Sequence, residues 1–489
     1  MPFNEKTMAQ LQALYLLGAT DMDYNKERTK MKMYHSLSND VDRKRIKDIS
    51  LSCFLAFSMV RTPGDVAACH INVKPQHITI YIAKNKKDEK DVILANTIKE
   101  FVFAPNARAL GFSAFGKKYL EIMVKFCPGK IHTLATAVKS GGLHYKTIGK
   151  TTSKPVKDLA AIIKRLEEIP ISPNAGTAAV AKEKEANEQR KGGQNLLQFA
   201  GKYKGDIGKA IVSALKMILV NIENAHKDPK CLYYASYAAH MIGTAKISND
   251  LLEAVLDNKK TGVTDRLLPA LVKFGRYFRG SERLHRQTGS CLQAAGQNPR
   301  VDIKWVESQQ SSVTMRHSAE DIIVETFRDN NPVPLSNRIL ADLKSIAKPL
   351  EENWRHKMNL IVHCEILLIK HLKETAKLKG GEIGISKGSC GACYNMVNGY
   401  NLYDNDEWIV HSNHGNHYLV LPSGHKEVDE RAANHIAEEL HALISAHLKL
   451  QRNAESADLP SDGDASDYQE ESFRTGEDFY AAVQAMGLD

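Results

Sequence analysis

A histidine, a carboxylate two positions later and a Cys-x-x-C pair fall within one short stretch, as His363-Cys364-Glu365 and Cys390-Gly391-Ala392-Cys393. His363, Cys390 and Cys393 are good zinc ligands. Three ligands leave one coordination position for water, whereas a closed structural site takes four Cys or His. The spare acid, Glu365, then has a role: in sites that combine H-x-E with C-x-x-C, zinc activates a water that attacks a nucleobase ring carbon while the glutamate moves protons. Zn2+ is therefore the expected cofactor. Alone, a C-x-x-C pair reads as a buried or redox pair, and an H-x-E as chance. Together, bracketing one strand-like run, they read as a zinc site.

The spacing sets conditions on the elements that carry these residues. Cys390 and Cys393, at i and i+3, face the same way on a helix, and the helix's positive end favours their thiolates. His363 and Glu365, two apart, diverge inside a regular helix and can share a site only near its first turn. The pattern predicts a helix over 363–378, a stop at Gly380-Gly381, a buried strand over 382–386 and a second helix over 390–400. Strands over 408–411 and 418–421 and a long amphipathic helix over 428–450 follow.

Upstream, residues 46–60 read as a buried helix before the Thr62-Pro63-Gly64 turn, and 65–71 and 78–83 as a β-hairpin closed by Asn85. Residues 91–103 read equally as strand or helix. Gly149-Lys150-Thr151 resembles a phosphate loop, but the motif needs glycine where the chain has His144, so the segment reads as a basic connection. Residues 170–193, with Pro170, Pro173 and a charged run, form a linker or exposed insertion. A helical region follows: Asp206 caps a helix over 207–222, Ser248 one over 251–256, and Thr264 a third. That third helix carries Arg276, Arg279, Arg283 and Arg286 on one face, with Tyr277 and Phe278 interleaved. The stripe could grip phosphates, but a solvated helix face is the more ordinary reading. Ser318 begins a capping box with Asp321, and Pro349 ends or kinks the helix over 338–348.

At 489 residues the chain exceeds one ordinary core. No run of 18 apolar residues occurs. Lys216 interrupts 210–222, and His363 and Glu365 interrupt 360–369. The first residues lack a signal peptide's basic start and unbroken apolar core, which predicts an intracellular protein, in cytoplasm or nucleus. Eight scattered cysteines do not form a disulfide framework. The net charge of +9 conceals an asymmetry: residues 453–489 hold ten acids and one base, so residues 1–452 carry +18. Such a body draws polyanions, nucleic acid first among them, and the acidic tail reads as disordered.

The runs IVHCEILLI, EIGISKGSCGACYNMV and HSNHGNHYLVL resemble the fungal-expanded deaminase-like family, a branch of the zinc-dependent cytidine deaminase superfamily. The resemblance covers residues 361–421. It implies a cytidine deaminase-like α/β/α sandwich in which His363, Cys390 and Cys393 hold zinc and Glu365 shuttles protons. Ser389 stands where the superfamily usually has proline. The resemblance also implies that the upstream helix and hairpin belong to the same domain, with Asn85 contacting substrate. The expected organisation is then the first helix and hairpin at 40–100, a basic extension at 101–169, a linker at 170–194 and a helical insertion at 195–315. The zinc-site half at 316–452 and the tail at 453–489 complete it. His411, His414 and His417 read equally as substrate-gating groups and as ordinary loop histidines; one of them as a fourth ligand would close the site. Trp408 and Tyr394 are placed to stack on a base, or are core aromatics. The implied activity is deamination of cytosine, with adenine as the alternative, in nucleic acid rather than in a free nucleoside. The competing reading is a catalytically silent, zinc-stapled interaction protein.

Overall fold

The computed structural model describes residues 4–20, 50–141, 158–168, 206–245, 248, 252, 263–331, 334–410 and 418–457. The expected linker at 170–194, the Gly149-Lys150-Thr151 segment, the helix at 251–256 apart from Leu252, the loop with His411, His414 and His417, and the tail beyond 457 lie outside these residues.

A five-stranded mixed sheet organises the chain. Strands β1 (Ala67–Lys74) and β2 (His77–Lys84) form the hairpin, with Lys74 opposite His77 and Ala67 opposite Lys84. Strand β3 (Arg300–Val306) lies parallel to β2 on its far side. After β4 (Gln310–Thr314) and β5 (Lys357–Ile361), which pair with each other in a separate two-stranded sheet, come β6 (Gly380–Ile385) and β7 (Glu407–Val410). Strand β6 runs antiparallel to β1, with Ala68 opposite Ile385, and parallel to β7. The order is β3-β2-β1-β6-β7, so the N-terminal hairpin and the strand between the two halves of the metal motif share one sheet.

Alternation along β2 explains why the sheet is covered on both sides. Ile78, Ile80 and Ile82 point into one apolar core, and Tyr81 and Ala83 into another. The first core is filled by the helix Ser50–Ser58 and by the helices of the long β2–β3 connection, chief among them Val263–Ala295. The second takes the helices Cys364–Glu374, Gly391–Tyr403 and Lys426–Ala457, together with an N-terminal helix, Glu5–Thr20. Two glycines mark close approaches. A methyl at Gly384 would overlap the backbone of Ser52 and Cys53, which lets Ser50–Ser58 lie directly on β6. A methyl at Gly275 would sit 2.8 Å from the His240 backbone, where Pro229–Thr244 crosses Val263–Ala295.

Several local expectations meet their caps. Asp206 accepts from Lys209 N at the start of Ile207–Ile222, and Ser318 and Asp321 cap Ala319–Asp329 reciprocally. Residues 91–103 resolve as helix, within Glu89–Val102, because Asp88 and Asp91 close a capping box. Other expectations need correction. The stretch 195–315 is not purely helical: β3 and β4 occupy its end, and β3 belongs to the main sheet. Residues 418–421 form no strand among the described residues, although Leu421 N donates to Ile361 O at 3.0 Å. Of the two effects expected of Pro349, ending or kinking the helix, the first is excluded, because Pro349 lies inside Asn337–Glu351. The helix after β7 runs through Ala457, so residues 453–457, expected to be disordered, are helical. No described helix is long and apolar enough to cross a membrane.

Candidate metal centre and active site

Two helix starts converge on the site. His363 is the N-cap of Cys364–Glu374, with extended backbone at φ −65° and ψ 148°, so it stands outside the helix while Glu365 occupies its first turn. This is the condition under which residues two apart can face one site. Cys390 is likewise the N-cap of Gly391–Tyr403, and its Sγ accepts from Cys393 N at 3.4 Å. The chain reaches these positions because β5 leads into His363 and β6 leads toward Cys390.

His363, Cys390 and Cys393 offer ligand atoms all within 4.8 Å of one another. His363 Nδ1 lies 3.6 Å from Cys390 Sγ and 3.2 Å from Cys393 Sγ. Tetrahedral zinc bound to one imidazole and one thiolate separates N and S by about 3.6 Å, given Zn–N and Zn–S bonds of about 2.0–2.1 and 2.3 Å. One separation matches this value and the other is slightly shorter, so the cluster fits Zn2+ with a modest opening at Cys393. His363 also hydrogen-bonds the Leu419 backbone, the kind of outer contact that fixes the ring of a metal-ligating histidine. A hydrogen bond from Cys393 and the neighbouring imidazole hold the Cys390 thiol well below its ordinary pKa. Burial opposes protonation of His363, but the Cys390 charge outweighs it and carries the imidazole up to about 9. The pair thus favours a thiolate, the form that binds metal.

Glu365 is 3% exposed, and burial pushes its pKa up. Its Oε1 accepts from the Ser389 hydroxyl at 2.9 Å. The departure from proline at position 389 therefore supplies the carboxylate with a donor.

These groups open onto a cavity of about 280 Å³ lined by His363, Glu365, Cys390, Asn85, Lys387 and Tyr418, among others. Asn85 ends β2 and lines the cavity; its Oδ1 accepts from Val66 N at 3.0 Å, which leaves the amide NH2 to donate. The hairpin and the metal motif, far apart in sequence, thus meet in one pocket. Trp408 is placed elsewhere. It is 2% exposed on β7, its Nε1 donates to Asp406 at 2.9 Å, and its ring meets His70 edge-on, so it is a core residue away from the cavity. Tyr394, on the helix that begins after Cys390, is likewise not among the cavity's lining side chains. Lys387 and Tyr418 went unnoticed in the sequence, although each adjoins a motif: Lys387 stands three positions before Cys390, and Tyr418 directly after His417. The arginine stripe divides. Tyr277 and Phe278 are buried in the core, Arg286 pairs with Glu282, and Arg276 turns toward the β6 loop.

Comparison with known proteins points the same way. The family model of the OTT_1508-like deaminases matches residues 362–422, a stretch containing His363, Glu365, Cys390 and Cys393. No curated protein and no solved structure matches the chain. This stretch of the protein is deaminase-like.

Proposed function

We propose that the protein is a zinc-dependent hydrolytic deaminase of a nucleobase, with cytosine favoured over adenine and nucleic acid over free nucleoside. The observation that carries this reading is Glu365. A zinc that merely staples the fold needs no acid, yet Glu365 is buried beside the three ligands, faces the cavity and is held by Ser389.

His363, Cys390 and Cys393 would hold Zn2+, which when bound supplies a water acidic enough to ionise near neutral pH. Glu365, with Oε1 anchored by Ser389, takes a proton from the attacking water. Its raised pKa suits it to keep that proton and return it to the ring nitrogen and then to the departing amine. The exchange balances: water adds at the amino-bearing ring carbon, the C–N bond breaks, and ammonia and a ring carbonyl result. Asn85 donates from its amide to orient the substrate, and walls such as Ile361 and Ile385 exclude water. His414 and His417, outside the described residues, are proposed as further substrate contacts. The charge of +18 over residues 1–452 supports a polyanionic partner, and an intracellular setting accords with free cysteines.

The test is incubation of the zinc-loaded protein with a mixed pool of DNA and RNA and with free nucleosides, followed by ammonia assay and sequencing. C-to-U or A-to-I conversion that disappears in Glu365→Ala supports the reading. Conversion unaffected by that substitution, or none from any substrate despite stoichiometric zinc, leaves the stapled interaction protein as the better account.

A further inference from the structure

A second cavity, of about 270 Å³, adjoins the first. The two share Gly64 and Lys387 in their walls, so the turn around Gly64 and the loop after β6 border both. Its lining is unusual in charge. Among the described residues, four cations line it, Lys130, Lys273, Arg276 and Lys387, against one acid, Asp65. That acid is already engaged, because Lys84 Nζ lies 3.1 Å from its carboxylate. The remaining walls are largely apolar, including Phe57, Val60 and Leu134.

The cations come from three separate parts of the chain. Lys130 belongs to the helix Pro128–Lys139, Lys273 and Arg276 to Val263–Ala295, and Lys387 to the loop that leads to Cys390. Two contacts hold them toward the cavity. Arg276 Nη1 reaches Ser386 O at 3.4 Å, tying the long helix to the β6 loop. Lys130 Nζ donates to Phe57 O at 3.2 Å and lies 3.7 Å from the centre of the Phe57 ring. Although Lys130 as a residue is only partly buried, its ammonium is drawn inward, and burial together with Arg276 and Lys387 lowers its pKa to about 7. Lys273 is lowered by the same causes. Cations converging on one cavity from three parts of the chain favour an anion there.

We propose that this second cavity is a phosphate-binding subsite, seating a phosphate of the substrate whose base enters the metal-site cavity. This rests on the deaminase reading for the base, while the phosphate chemistry stands on the cavity itself. Arg276 offers the planar, multi-donor contact that phosphate oxygens favour, and the three lysines supply further charge. Because the helices of the β2–β3 connection carry three of the four cations, that connection would select phosphorylated substrates. Two sources share this chemistry: the terminal phosphate of a free nucleotide and a backbone phosphodiester.

The experiment is calorimetric titration of zinc-loaded Glu365→Ala, which binds without turnover, in a phosphate-free buffer. The probes are cytidine, adenosine, their 5′-monophosphates, inorganic phosphate and a short single-stranded oligonucleotide. The expected result is binding at least about tenfold tighter for a monophosphate or the oligonucleotide than for the matching nucleoside, the scale of one charged hydrogen bond. That gap should close in Arg276→Gln and in Lys273→Gln; the latter leaves the Arg276–Ser386 contact in place and guards against misfolding of the former. A monophosphate preferred over the oligonucleotide assigns a terminal phosphate, and the reverse assigns the backbone. Nucleoside and nucleotide bound equally, or a gap that survives both substitutions, overturns the proposal. Inorganic phosphate bound in a manner sensitive to both substitutions, with no nucleoside or nucleotide base recognised, supports the subsite and counts against the deaminase reading.

Discussion

The Ser389 hydroxyl donates to Glu365 Oε1 at 2.9 Å, and both side chains are buried, so the residue beside Cys390, a candidate metal ligand, also orients the acid. A carboxylate held at one oxygen presents the other in a fixed direction. Ser389→Ala is expected to lower kcat by about tenfold, the scale of one hydrogen bond to a charged group, while zinc content stays at one per chain. Steady-state kinetics beside metal analysis checks this; a drop in zinc content would instead show Ser389 to be a structural support of the metal loop.

Removal of a metal ligand should act on stability as well as activity. Cys390→Ser or His363→Ala is expected to abolish stoichiometric zinc and to lower the melting temperature, since bound metal stabilises only the folded chain. Chelation of the wild type should reproduce the shift and leave these variants unmoved, as read by thermal denaturation with and without chelator.

Gly384→Ala tests the contact between the helix Ser50–Ser58 and β6. The new methyl would collide with the Ser52 and Cys53 backbone, where no side chain can move aside. We expect destabilisation of about 3 kcal/mol or more, beyond the ordinary cost of overpacking. Denaturant unfolding measures it, and a loss under about 1 kcal/mol would mean the helix can lift off the sheet without penalty.

Lys130 predicts a pH dependence. Its ammonium has a pKa of about 7 in the folded chain against 10.5 ordinarily. Below 7 the lysine is charged in both states and folding bears the full desolvation cost. Between about 7 and 10.5 the unfolded chain binds the extra proton, so stability rises with pH until both states are neutral. The groups facing Lys130 are Cys127, Arg276, Lys387 and Asp65; burial pushes the Cys127 thiol up to about 12, so it stays neutral across this window. Wild type minus Lys130→Met stability, followed by denaturant melts from pH 6.5 to 9.5, should therefore shift in favour of the wild type as pH rises. A flat difference would place the ammonium in solvent.

The grouping of His363, Cys390 and Cys393 was legible in the sequence because it is local: H-x-E and C-x-x-C each sit at a helix start, and caps such as Asp206 and Ser318 mark their helices without tertiary help. Strand β3 escaped notice although Val301, Ile303 and Trp305 alternate with Asp302 and Lys304. As an edge strand it is only half buried, and it follows a 33-residue helix whose period dominates the region. Strand β5 is five residues long and merges in sequence with the apolar start of the next helix. Trp408 shows the converse limit: its type suits stacking on a base, but only the bond to Asp406 and the packing against His70 reveal which way it points. Lys130, Lys273 and Arg276 belong to helices whose faces meet the β6 loop through tertiary packing alone, and no local pattern announces that meeting.

The pairing of β1 with β6 also governs when the pocket can first exist. Ala67 N bonds to Ser386 across 319 residues, so the hairpin leaves the ribosome long before its partner strand does. At roughly 5–20 residues per second, that interval is about a quarter of a minute to a minute. During it β1 exposes an unpaired edge, a hazard that a nascent chain must survive. Asn85 is synthesised well before His363, so the pocket they line can close only after the chain between them has been made.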